Sequence, residues 1–162
     1  MNHAALFQPL QVGALEIPNR IVMAPLTRTR AEADHVPGEL IAEHYAQRAS
    51  AGLIIAEATM VMEGNSSFIS EPGIYSAAQV EGWKKTTSAV RAAGGRIFLQ
   101  LWHGGRACHP LLNGGAQPVA PSAIPITNDQ VHTPEGKRTM LFPANSVTTR
   151  SPASSRDSAS RQ

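Results

Sequence analysis

Three short apolar runs, at residues 20–24, 53–56 and 96–99, alternate with two longer stretches in which apolar residues recur at helical spacing. The first stretch, residues 37–50, carries Leu40, Ile41, His44 and Tyr45 on one face and stops before Ala51-Gly52. The second runs over residues 76–93 and stops at Gly94-Gly95, a helix-terminating pair. Ser76 followed by Gln79 spells a capping box, after which Val80, Trp83, Thr87 and Val90 form one face. The order β-α-β-α-β demands parallel strands joined by right-handed crossovers, and near-continuous apolar strands suit a sheet covered on both faces or closed into a barrel. Ahead of these units, residues 10–17 read as two short strands around a turn at Gly13, a hairpin suited to plug the N-terminal mouth of a barrel.

Each apolar run releases polar residues at its carboxyl end. The first gives Pro25-Leu26-Thr27-Arg28, the second Glu57-Ala58-Thr59, and the third Gln100-Leu101-Trp102-His103-Gly104-Gly105-Arg106. A dinucleotide-binding doubly wound sheet requires a glycine-rich G-x-G-x-x-G turn after its first strand, and this chain has Pro25-Leu26-Thr27-Arg28 there. A (β/α)8 barrel instead places working residues at the C-terminal ends of several strands, the pattern seen here three times. The expected fold class is therefore α/β, a partial (β/α)8 barrel made of the hairpin and about three βα units. Taken one by one, Gln100 and Trp102 also suit an ordinary core or rim, Phe68 suits plain packing, and Arg28 and Arg30 suit solvated ion pairs.

Charge changes the picture little. The chain carries a formal charge of +2, but residues 1–137 alone carry −1, so the basic balance belongs to the C-terminal segment and offers no support for a nucleic-acid surface. The single Cys108 excludes an internal disulfide framework and suits a reducing, cytoplasmic setting. With His103 and His109 it makes only a weak metal-site signal, and no metal is expected. Neither a secretory leader nor a membrane span is legible.

Taken in order, the segments Leu6-Phe7-Gln8-Pro9-Leu10, Ile17-Pro18-Asn19-Arg20-Ile21-Val22-Met23-Ala24-Pro25-Leu26-Thr27-Arg28, Glu57-Ala58-Thr59, Gln100-Leu101-Trp102-His103-Gly104-Gly105-Arg106, Pro118-Val119-Ala120-Pro121-Ser122 and His132-Thr133-Pro134-Glu135-Gly136-Lys137 resemble the Old Yellow Enzyme flavoproteins. The Trp-His-Gly-Gly-Arg spelling is most similar to the bacterial branch that reduces N-ethylmaleimide and nitrate esters. The resemblance implies an FMN-dependent oxidoreductase that takes hydride from NAD(P)H and passes it to a small electrophilic alkene. It implies Pro25, Leu26, Thr27, Ala58 and Gln100 as cofactor-binding residues, with the Thr27 hydroxyl on the flavin's carbonyl edge in a catalytic role. The Gln100 amide would match the pyrimidine edge, and Phe68 and Trp102 would contact substrate, Phe68 standing where relatives often carry a tyrosine. The family's oxyanion donors, its proton-donating tyrosine and its phosphate-binding residues follow later strands, so this stretch holds none of them.

Such barrels use roughly 250 residues, and this chain has 162. From Arg138 onward no helical or strand period is legible, and Ser, Thr and Arg make up 13 of 25 residues, a composition that cannot bury a core. Back-translated and shifted by two nucleotides, this segment can be read as YHAVPRELRDDEIPGVVAGFR, similar to the family's own continuation. The expectation is a division into residues 1–137, the N-terminal part of an FMN-binding barrel, and residues 138–162, an unstructured out-of-frame tail that leaves the chain inactive alone. The alternative is a nonenzymatic flavin- or partner-binding half-barrel.

Overall fold

The computed structural model describes residues 3–145. Strands β1 (Leu10–Val12) and β2 (Leu15–Ile17) form the expected antiparallel hairpin, with Leu10 opposite Ile17 and Val12 opposite Leu15. Gly13 takes φ +59° in the two-residue turn, a backbone region that costs an L side chain energy.

The expected alternation follows: β3 (Val22–Met23), α1 (Glu39–Ala46), β4 (Leu53–Met60), α2 (Ala77–Ala92) and β5 (Ile97–Trp102). The three strands are parallel in the order β3-β4-β5, with Met23 beside Ile54 and Ile54 beside Ile97. This is the first part of a (β/α)8 barrel. The two helices pack side by side over the sheet, where Ile41, Tyr45 and Ala49 meet Ile54, Ala56, Trp83 and Val90 in one buried cluster. Burying each of the large members removes apolar surface from water at a gain of about 1.5–3 kcal/mol.

Two of the three strands outrun their apolar runs. β4 continues through Glu57, Ala58 and Thr59, and β5 continues through Gln100 to Trp102. Ladder hydrogen bonds are made by backbone and do not stop at a polar side chain, provided that side chain finds its own partner. Here Tyr45 supplies one for Glu57, and the Thr59 hydroxyl donates to the Glu57 carbonyl at 2.9 Å.

The capping box forms as spelled: the Ser76 hydroxyl accepts the Gln79 N–H at 3.3 Å, and the Gln79 side chain accepts the Ser76 N–H at 3.1 Å. The buried face of α2, however, is Gln79, Gly82, Trp83, Thr86 and Val90, while Val80 and Thr87 are only half-buried. Close approach decides this rotation, because a Cβ on Gly82 would stand 2.5 Å from the Pro37 carbonyl. In α1, likewise, Leu40 is 65% exposed and Ala42 is buried in its place.

Beyond β5 the chain adds β6 (Val119–Ala120), the antiparallel hairpin β7 (Gln130–Thr133) and β8 (Gly136–Thr139), and β9 (Ala144–Asn145), which pairs in parallel with β6. The boundary expected at Lys137 is therefore no limit of regular structure. Arg138 pairs with Val131, Thr139 pairs with Gln130, and Met140 is buried. The two-residue turn at Pro134-Glu135 fixes the hairpin register, and backbone pairing extends from it without a side-chain period. Residues 146–162 of the expected tail lie outside the described residues.

Candidate active site

Parallel strands point their carboxyl ends the same way, so the residues that follow β3, and those that end β4 and β5, gather at one end of the sheet. Pro25 and Thr27 are half-buried after β3, while the Leu26 side chain between them is 60% exposed. Ala58 is buried near the end of β4 and pairs across the ladder with Gln100, just after an irregularity in register at Glu57. The Thr27 hydroxyl and the half-buried Gln100 amide make no hydrogen bond among the described residues. A half-buried hydroxyl and amide left free at the working end of a sheet are ready partners for a planar heterocycle with mixed donor and acceptor edges.

The second set of expected residues meets elsewhere. Phe68 and Trp102 face one another with ring centroids 6.5 Å apart and planes at 41°, and both line a cavity of about 620 Å³. Thr29 and Arg30 form another part of its wall, and Ile126, Val131 and Met140 line it from the later segments. Pro25, Thr27, Ala58 and Gln100 do not line this cavity. The loop after β3 links the two sets, since Thr29 lies two residues beyond Thr27.

Two buried carboxylates organise these loops. Glu57 is fully buried at the bulge of β4, where its Oε2 accepts the Arg28 N–H at 2.8 Å and its Oε1 accepts the Tyr45 hydroxyl at 3.1 Å. The Tyr45 oxygen in turn accepts the Glu57 N–H at 2.8 Å. Burial raises both groups' proton affinities, against the pull of the Arg28 N–H and the Tyr45 hydroxyl on the carboxylate. Glu71 is also fully buried, and burial pushes its carboxyl up to about 7 although Ser66, Ser67 and Phe68 all donate to it. The sequence alone assigns Glu57 no role and does not single out Glu71. A charge directly after the apolar run 53–56 is a legible signal for Glu57, whereas Glu71, in a loop, carries none.

His103 and His109 serve local turns. His103 Nδ1 accepts the Gly105 N–H at 3.0 Å, and His109 Nδ1 accepts the Leu111 N–H at 3.2 Å. Burial holds the Cys108 thiol above its ordinary value, and no group of three metal-ligating side chains gathers among the described residues. No helix there is long and apolar enough to cross a membrane.

The profile of the NADH:flavin oxidoreductase / NADH oxidase family matches residues 5–145. The chain belongs to this family. It is 50% identical over 123 residues to a probable flavin mononucleotide-dependent alkene reductase of Leishmania infantum, covering 75% of this chain and 34% of that protein. Among solved structures, morphinone reductase in complex with tetrahydroNAD matches with a TM-score of 0.83 at 47% identity, covering 89% of this chain and 41% of that one. The Old Yellow Enzyme homologue of Zymomonas mobilis matches with a TM-score of 0.82 at 51% identity, covering 87% and 39%. The chain thus spans about a third of the length of the curated relative it matches.

Proposed function

We propose that this chain supplies the first three strand ends of an FMN-dependent ene-reductase that uses NAD(P)H and acts on small electrophilic alkenes. The observation that carries the reading is the end of the β3-β4-β5 sheet, where the small Ala58 lies beside Gln100 and the Thr27 hydroxyl and Gln100 amide are both left free. These residues fit a flavin: Ala58 leaves room for a ring, and the hydroxyl and amide match its carbonyl and pyrimidine edges. Bound there, FMN would accept hydride from the nicotinamide and pass it to the alkene. Pro25, Leu26 and Thr27 would hold one edge, and Phe68 and Trp102 would define the adjoining substrate cavity. The Trp-His-Gly-Gly-Arg run favours substrates such as N-ethylmaleimide.

The oxyanion donors, the proton-donating tyrosine and the phosphate contacts belong to later strands of the family barrel. Tight flavin binding and turnover accordingly belong to a chain in which the reading frame after Lys137 continues into the segment read from the back-translation. The DNA across that codon should show this second frame. The chain in the continued frame should copurify with FMN and oxidise NADPH when N-ethylmaleimide or 2-cyclohexenone is added, whereas the 162-residue chain should do neither. A continued chain that folds without flavin overturns the enzymatic reading. Stoichiometric FMN on the 162-residue chain without turnover favours a flavin-binding half-barrel instead.

A further inference from the structure

We infer that Glu71 is a positioning residue for the substrate cavity: its carboxylate winds residues 66–68 into a turn that holds the Phe68 ring against Trp102 and so sets the cavity's width. The inference rests on the reading of that cavity as the substrate site. A single oxygen does the gathering. Glu71 Oε2 accepts the Ser67 N–H at 2.9 Å and the Phe68 N–H at 3.3 Å, and the Ser66 hydroxyl lies 3.1 Å away. That hydroxyl also stands 2.8 Å from the Phe68 carbonyl, so its one proton is shared between the two acceptors.

The other end of the turn is fixed through backbone. The Glu71 carbonyl lies 2.7 Å from His35 Nδ1, and the Ser70 carbonyl accepts the Ala31 N–H at 3.1 Å. Ser70 and Thr29 both hold positive φ, at 52° and 54°, a strain that persists only where surrounding bonds over-determine the backbone. The backbone at residues 70 and 71 thus anchors the turn to the segment that carries Thr29, and the Glu71 carboxylate draws the Phe68 end of the turn onto that anchor.

Glu71 Oε1 is buried with no partner among the described residues. A proton there leaves Oε2 free to keep its donors, which accords with a carboxyl held near 7. A glutamine can place its one carbonyl oxygen where Oε2 stands, so Glu71→Gln keeps the turn and Glu71→Ala releases it.

The test uses the 162-residue chain by NMR, without flavin. In Glu71→Ala, hydrogen exchange at the Ser67 and Phe68 amides should quicken at least about tenfold relative to β4 amides, and the Phe68–Trp102 ring contact should disappear. Glu71→Gln should stay within about twofold of the parent and keep the contact. Should Glu71→Ala fail to fold, Ser66→Ala, which removes one donor and leaves the carboxylate, should give a smaller loosening of the same two amides. A ring contact kept in Glu71→Ala, lost in Glu71→Gln, or amides unmoved by Ser66→Ala when that variant carries the test would each overturn the inference. Adding 2-cyclohexenone to the FMN-loaded chain continued past Lys137 separates the two readings: no shift of its Trp102 indole N–H would count against the substrate cavity and leave the role of Glu71 to the exchange data.

Discussion

The carboxylate of Glu57 accepts the backbone N–H of Arg28 at 2.8 Å, tying the central strand to the residue that follows Thr27. The loop after β3 is aimed by this bond from inside the sheet, with Tyr45 of α1 completing the support. Tyr45→Phe strips a buried carboxylate of one donor and the Glu57 N–H of its acceptor, so it should destabilise the chain by about 2–3 kcal/mol. Urea denaturation at about pH 7 checks this. A loss below about 0.5 kcal/mol would show that the hydroxyl is replaceable by water.

The alternation of apolar runs and helical faces is enough to find the hairpin, both helices and the parallel order, because backbone pairing and burial write themselves into period and punctuation. What the pattern misses is set by single close contacts. Gly82 against Pro37 turns the buried face of α2, and a backbone hairpin carries regular structure past Lys137. Phe68 and Trp102 can be named as neighbours of one ligand only through family resemblance, and the geometry brings them to 6.5 Å. Glu71 is illegible because its donors are mostly backbone amides, whose positions no side-chain pattern reports.

Gly104, in the Trp-His-Gly-Gly-Arg run, is demanded by packing. A Cβ there would meet the Ser67 Oγ, the Cys108 Sγ at 2.7 Å and the Asn65 carbonyl at 2.8 Å. Gly104→Ala should therefore push the β5 loop away from residues 65–67 and lower stability by about 2–3 kcal/mol. The neighbouring Gly105 has φ +56°, and a Cβ there would approach nothing nearer than the Val119 carbonyl at 4.0 Å. Gly105→Asn, which tolerates that backbone region, should accordingly cost under about 1 kcal/mol. Equal losses for the two variants in thermal denaturation would refute the distinction.

Stability should also depend on pH through Glu71. Its carboxyl is held at about 7 in the folded chain against 4.5 for a free side chain, so the folded state keeps a proton that the unfolded state releases. That contribution is fully present below about pH 4.5 and is lost as pH rises through 7, up to about 3 kcal/mol. Glu57 is the nearby charge that adds to burial, and the Ser66, Ser67 and Phe68 donors oppose it. His44 and His109, whose proton affinities burial lowers, act in the opposite sense, so the parent's profile is mixed. Comparing Glu71→Gln with the parent isolates the carboxyl. The variant should gain stability relative to the parent between about pH 5 and about pH 8, and a constant difference across that range would contradict the assignment.

In the chain continued past Lys137, Thr27→Ala and Trp102→Ala should fail in different half-reactions. The Thr27 hydroxyl is free at the strand end where the flavin is proposed, and Trp102 lines the separate cavity against Phe68. Removing a hydroxyl donor from the flavin's carbonyl edge makes the flavin a poorer electron acceptor, so Thr27→Ala should slow reduction by NADPH by about tenfold, the effect of one hydrogen bond of about 1.4 kcal/mol. Removing the indole widens the cavity and leaves the flavin edge untouched, so Trp102→Ala should keep the NADPH half-reaction within about twofold and shift the kcat/KM ratio between bulky and small alkenes. Stopped-flow measurement of each half-reaction separates the two. A Trp102→Ala chain slowed equally in flavin reduction, or a Thr27→Ala chain altered only in alkene preference, would place the two residues in one site and discard the division drawn from the geometry.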